Sequence, residues 1–146
     1  MSIQLNGLDA LVKKINRLGG KADDALLKGI QKSVQLVRGD ARDLCPAPTG
    51  ALRGSIELKV ETNQEEIKGS VGTHKEYAIY VELGTGQRGE ASPSPPKAPI
   101  GNGYKVDWSG MPAQPFLYPA LMQNKEAIKE LCIEELNKEI QKLGGH

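Results

Sequence analysis

The segment Cys45-Pro46-Ala47-Pro48 separates two periodicities that cannot belong to the same kind of element. Upstream, Ala22, Ala25, Leu26, Ile30, Val34, Val37, Ala41 and Leu44 recur at helical spacing, while Lys21, Asp24, Lys28, Gln31, Lys32, Gln35, Arg38 and Arg42 fill the other faces. This pattern predicts a long amphipathic helix over residues 21–44. The two prolines end it, because each lacks an N–H and restricts the residue before it. Thr49-Gly50 then makes a turn, and from Leu52 the period falls to two: Ile56, Leu58 and Val60 alternate with Glu57, Lys59 and Glu61. After polar Asn63-Gln64-Glu65-Glu66, Ile67, Gly69 and Val71 alternate with Lys68, Ser70 and Gly72. The two runs pair most simply as an antiparallel hairpin.

A second alternating run follows, with Tyr77, Ile79, Val81 and Leu83 on one side and Ala78, Tyr80 and Glu82 on the other. It predicts a further strand that Gly84 ends. Glu82 is the odd member. A carboxylate among apolar neighbours lies on a solvated face, or is held by a basic partner within the subunit or across an interface. Near the C-terminus, Pro119 suits a first helical turn. Ala120, Leu121, Asn124, Ile128, Leu131, Cys132, Leu136, Ile140 and Leu143 trace the stripe of one last helix, expected to pack on the sheet beside the first. Leu8, Leu11, Val12, Ile15 and Leu18 outline a short helix stopped by Gly19-Gly20. Gly29 and Gly39 each weaken the long helix by about 1 kcal/mol, which implies close approach of another backbone or a tolerated weakness. The expected class is therefore α+β: an antiparallel sheet of about three to four strands covered by a long N-terminal helix and a C-terminal helix, in one domain over 1–146.

Between Gly84 and Pro112 neither pattern persists. Eleven residues of this stretch are glycine or proline, centred on Ser92-Pro93-Ser94-Pro95-Pro96-Lys97-Ala98-Pro99, so neither a helix nor a continuous strand is expected there. Fixing such a backbone costs about 1 kcal/mol per residue, and Ile100, Tyr104, Val106, Trp108 and Met111 offset only part of that. Residues 84–112 are expected to form a flexible arm that orders against a partner. A solvent-exposed spacer with Trp108, the only tryptophan, tucked on its own sheet is the blander alternative.

Composition narrows the function classes. At 146 residues the chain is long enough for one core, and 19 basic against 18 acidic residues leave no strong electrostatic footprint for nucleic acid or membrane. No apolar run approaches the length of a bilayer span, and Met1 to Leu5 lack a secretion-signal pattern, so the chain is expected to remain in the cytoplasm where it is made. Cys45 and Cys132 have no metal-binding spacing and are expected to be reduced, packed thiols. With His74 and His146 the only histidines, no metal or cofactor is expected.

Enzymatic leads are thin. Gly84-Thr85-Gly86-Gln87-Arg88-Gly89 is a GxGxxG sequence, and its alternative reading is a small nucleotide-binding enzyme using Gly84, Gly86 and Gly89. A phosphate site of that kind needs a helix to start inside the motif, and the proline cluster that follows argues against one. Ser55 lacks a nucleophile elbow, and its pairing with His74 as base is attributable to chance. The chain is expected not to be an enzyme.

Three stretches together carry a resemblance: Pro48-Thr49-Gly50-Ala51-Leu52-Arg53-Gly54-Ser55-Ile56, Tyr77-Ala78-Ile79-Tyr80-Val81-Glu82-Leu83-Gly84-Thr85, and Gln114-Pro115-Phe116-Leu117-Tyr118-Pro119-Ala120-Leu121. In that order, with a Pro/Gly-rich arm between the second and third, the chain resembles the small head-to-tail joining, or tail-completion, proteins of the neck of long-tailed bacteriophages. The resemblance implies a structural subunit of a phage or prophage virion, made in the bacterial cytoplasm. It would assemble with copies of itself into a ring that joins the DNA-filled head to the tail. Implied partners are neighbouring head-connector and tail proteins, with passive contact to DNA in the channel and none to membrane. A tail-terminator or other virion ring subunit is the nearest alternative. A ring needs two different patches per subunit. The arm with Trp108 and Met111 is expected to supply one and the sheet region around Tyr80, Glu82 and Arg53 the other. Arg88, Tyr104 and Phe116 complete the expected assembly interface.

Overall fold

A computed structural model describes residues 2–3, 20–46, 50–93, 104–105 and 107–144. The helix expected over residues 8–18 and most of the proline cluster lie outside the described residues. Among the described residues nine elements follow in order: β1 (Ser2–Ile3), α1 (Gly20–Leu44), α2 (Ala51–Gly54), β2 (Glu57–Thr62), β3 (Ile67–Gly72), α3 (Ala78–Leu83), α4 (Gly86–Ala91), α5 (Leu117–Gln123) and α6 (Lys125–Gly144).

The long helix forms where its spacing placed it and acts as the spine. Its buried residues, Ala22, Ala25, Gly29, Ile30, Ser33, Val34, Val37 and Ala41, cover a face wide enough to meet two layers at once. On one side β3 comes so close that a Cβ on Gly69 would fall 2.5 Å from Val34 Cγ1 and 2.9 Å from Ile30 Cγ2. On another, a Cβ on Gly29 would sit 2.8 Å from the Cα of Cys132 in α6. Gly29 is thus the close approach, whereas nothing lies within 4 Å of a Cβ at Gly39, which is the tolerated weakness. The last helix packs on α1 rather than on the sheet, and it is interrupted at Asn124. The Asn124 side chain donates to Asp40 Oδ2 of α1 at 2.6 Å and to the Ala120 carbonyl at 2.7 Å.

The core joins α1, the hairpin and the C-terminal helices through Ile30, Val34, Val37, Ile56, Val71, Phe116, Ala120, Ile128 and Cys132. Each large side chain buried here stabilises the fold by about 1.5–3 kcal/mol. Cys45 and Cys132 are free and buried. Burial pushes the Cys132 thiol up to about 11, against a smaller lowering by its hydrogen bond with Ser33. The Glu135 carboxylate of α6 lies beside Lys32 of α1 and 3.3 Å from Lys138, and the Lys32 hydrogen bond is the main cause that holds it below the ordinary carboxylate range.

The sheet has the order β1-β3-β2, all antiparallel. It consists of the expected hairpin, with Lys59 opposite Ser70 and Thr62 opposite Ile67, plus a two-residue strand on β3. That is two full strands, fewer than the three to four expected. The strand predicted at Tyr77 to Leu83 is instead a helix, α3, with Ala78, Glu82 and Leu83 buried and Tyr77, Ile79 and Tyr80 exposed. A short apolar run fits both periods, and here the i, i+4 pair Ala78 and Glu82 faces inward. Likewise Ala51–Gly54 forms a helical turn before the hairpin, so the strand starts at Glu57 rather than near Leu52.

Candidate functional site: a clasped excursion between α3 and α5

The inward carboxylate of Glu82 reaches the start of α5. Its Oε2 accepts from the N–H of Phe116 at 2.8 Å and of Leu117 at 3.0 Å, and its Oε1 from the N–H of Tyr118 at 2.7 Å. A helix leaves its first amides without internal partners. Here one buried side chain takes three of them, and the next residue, Pro119, has no N–H to satisfy. Glu82 is 8% exposed. Its negative charge also faces the positive end of the helix. The carboxylate is therefore buried and, among the described residues, is bound by amides rather than by a basic side chain: it clasps two elements far apart in sequence.

The clasp joins the residues before and after this excursion, and a second set of bonds ties its two described feet together. Thr85 N–H donates to the Met111 carbonyl at 2.8 Å and Met111 N–H to the Thr85 carbonyl at 3.1 Å, forming an isolated antiparallel bridge. The amides of Gln87 and Arg88 donate to the carbonyls of Trp108 and Ser109, both at 2.9 Å, and Gln114 N–H donates to the Val81 carbonyl at 2.8 Å. Ser92 Oγ donates to the Arg88 carbonyl and accepts from Ala113 N–H. Tyr104 closes the group, its hydroxyl donating to the Leu83 carbonyl at 2.9 Å. Contrary to expectation, the stretch does contain a helical turn, α4, because these bonds from outside support its amides.

Glycine makes this packing possible. Gly110 has φ of 64°, and a Cβ on it would fall 2.0 Å from the Thr85 carbonyl oxygen. Cβ atoms on Gly84, Gly86 and Gly89 would come within 2.6 Å of Ala113 N, 2.5 Å of the Trp108 oxygen and 2.5 Å of the Gly84 carbonyl carbon, respectively. The GxGxxG glycines therefore admit the chain's own backbone. The amides of Gln87, Arg88 and Gly89, which a phosphate would need, already donate to Trp108, Ser109 and Thr85. That geometry speaks against the nucleotide reading even though a helix does begin at Gly86. Ser55 donates to the Leu52 carbonyl and shares a 2.6 Å hydrogen bond with Thr73, not with His74. Among the described residues no group of three or more His, Cys, Asp or Glu is placed to hold a metal ion.

The eight interface residues expected from sequence separate into two kinds. Trp108 and Met111 are 52% and 60% exposed although their backbones are tied down, and Tyr80 is 57% exposed on α3. Arg53 and Arg88 are exposed as well, with Arg53 reaching the Cys45 carbonyl at 3.4 Å. Tyr104 is half-buried in the tie just described. Glu82 and Phe116 are buried, Phe116 completely, so neither presents a surface of this subunit. Their contribution is internal because the clasp and the core use them. Tyr80 and Glu82 also stand on a helix, not on the sheet. Sequence reasoning assigned no tying role to Thr85, Ser92 or Gly110. The available signal was a lone carboxylate in an apolar run together with a later helix start that carries proline in its first turn.

A family model described as the bacteriophage HK97-gp10 tail component matches residues 9–84. It takes in α1, the hairpin and α3, and stops where the excursion begins. No curated protein and no solved structure matches the chain.

Proposed function

Because this chain belongs to the HK97-gp10-like family of bacteriophage tail components, we propose that it is a structural virion subunit of the neck. In this proposal copies of it form a ring that joins the DNA-filled head to the tail. The observation that carries the proposal is the exposure of Trp108 and Met111 on a strap whose backbone is hydrogen-bonded there to Gln87 and Thr85. Large apolar side chains exposed on a hydrogen-bonded backbone have less backbone freedom left to lose when a neighbour covers them, which suits them to an assembly contact. A head-to-tail ring needs a second, different patch, which we assign to Tyr80 and Arg53. Glu82 and Phe116 set the strap in place from behind. Head-connector and tail proteins would bound the ring, with DNA passing through it.

The test is a phage or prophage carrying Trp108→Ser with Met111→Ser. The purified variant keeps its helical spectrum and melting temperature, while electron micrographs of lysates show full heads and finished tails unjoined. Normal joined particles would overturn the assignment. The family description names the tail rather than the head, which favours one second reading, a tail-terminator role. It predicts tails of irregular length in the same micrographs.

A further inference from the structure

The outer edge of β2 is unpaired among the described residues, since β3 is its only strand neighbour. The hairpin closes through Asn63 N–H to the Glu66 carbonyl at 3.0 Å. From that bond, the alternation of an antiparallel ladder turns Glu57, Lys59 and Glu61 toward β3. It leaves the N–H and C=O groups of Leu58, Val60 and Thr62 pointing away from it. Three donors and three acceptors thus line an edge that no strand among the described residues covers. Lysine on an edge strand is a common device against pairing. Here, however, Lys59 lies between two glutamates on the same exposed face, and the row Glu57, Lys59, Glu61 is self-complementary only in particular registers.

Those registers can be enumerated. Placing Lys59 opposite its own copy sets Glu57 against Glu61 and gives three like-charge pairs. Placing Glu61 opposite its own copy repels as well. A shift that puts Leu58 on the axis needs Ile56, whose carbonyl already accepts from Arg42 and whose amide donates to Arg53. With Val60 on the axis, all three outward residues pair with outward residues, which allows six backbone hydrogen bonds. Lys59 then faces Glu61 of the other copy twice, at the short cross-strand spacing where opposite charges attract. On the inner side, half-buried Val60 meets Val60, and Leu58 meets Thr62, which continues the apolar layer under α1.

We infer that the free edge of β2 docks with the same edge of a second copy about a two-fold axis at Val60, which joins the two sheets into one. Such a contact closes at two subunits and cannot itself propagate a ring. It therefore goes beyond the assembly role proposed above, and its test needs no virion. Sedimentation of the purified chain over a concentration series shows a monomer–dimer equilibrium. Lys59→Glu weakens dimerisation by about tenfold or more, and Lys59→Glu with Glu61→Lys restores it. Thr62→Pro removes an outward donor that has no strand partner among the described residues, so it abolishes the dimer and leaves the monomer's melting temperature unchanged. A wild-type chain that stays monomeric up to about 1 mM overturns the inference. So does a dimer that is indifferent to Lys59→Glu, or one that the double charge exchange fails to restore.

Discussion

The body of the molecule and the excursion at its side are held by different forces. In the body, α1 is packed between β3 and α6, and the adhesive is apolar area: Val34, Ile128, Cys132 and Leu136 are almost fully buried. Among the described residues of the excursion, the adhesive is direction: one carboxylate on three amides, a two-residue bridge, and glycines that let backbone touch backbone. Apolar packing tolerates small displacements, whereas a hydrogen-bonded clasp is either made or lost. The body is thus suited to keep its shape. The excursion can present Trp108 and Met111 at a fixed place with few residues to hold it.

Substitutions that strike both regions have the largest effect. Phe116 is fully buried in the core and its N–H is bound by Glu82, so Phe116→Ala should lower the stability of the whole chain by about 3–5 kcal/mol in chemical denaturation. Ile128→Ala strikes the body alone and should lose about 2–5 kcal/mol, with Trp108 fluorescence and far-UV circular dichroism melting together. The excursion alone is struck by Gly110→Ala, which must abandon φ of 64° or collide with the Thr85 oxygen. Its loss is about 1–3 kcal/mol and local: Trp108 emission changes well before the helices melt. The smallest effect is electrostatic. Because the Lys32 hydrogen bond holds Glu135 below the ordinary carboxylate range, the folded form gains stability above that range and loses it as pH falls through the depressed value. Glu135→Gln should therefore flatten the acid limb of the melting-temperature profile and leave Trp108 emission unchanged.

The same division governs what could be seen in advance. The body was legible because burial imposes a period: Ile30, Val34, Val37 and Ala41 announce α1, and Leu58 and Val60 announce the hairpin. Even Gly29 gave a usable hint of a close helix contact. The excursion was not legible. Its bonds run between backbone groups whose pairing leaves no periodic trace, as with Thr85 and Met111, and positive φ at Gly110 is invisible in a sequence already rich in glycine. Helix α3 was misread as a strand because six residues are too few to separate the two periods. Glu82 was rightly singled out as anomalous, yet its partners are amides, which every residue but proline carries. The family match covers residues 9–84, which include Arg53 and Tyr80 but stop before Trp108 and Met111, the patch on which the assembly proposal chiefly rests.

Residue-resolved amide exchange in Glu82→Ala tests the clasp most directly, because that variant removes one acceptor and leaves the apolar core intact. The amides of Phe116, Leu117 and Tyr118, together with those of Thr85, Gln87 and Met111, should lose their protection. Val34, Val37 and Leu136 should keep theirs. Equal loss in both sets, or unchanged protection at Thr85 and Met111, would show that the excursion is not held by Glu82.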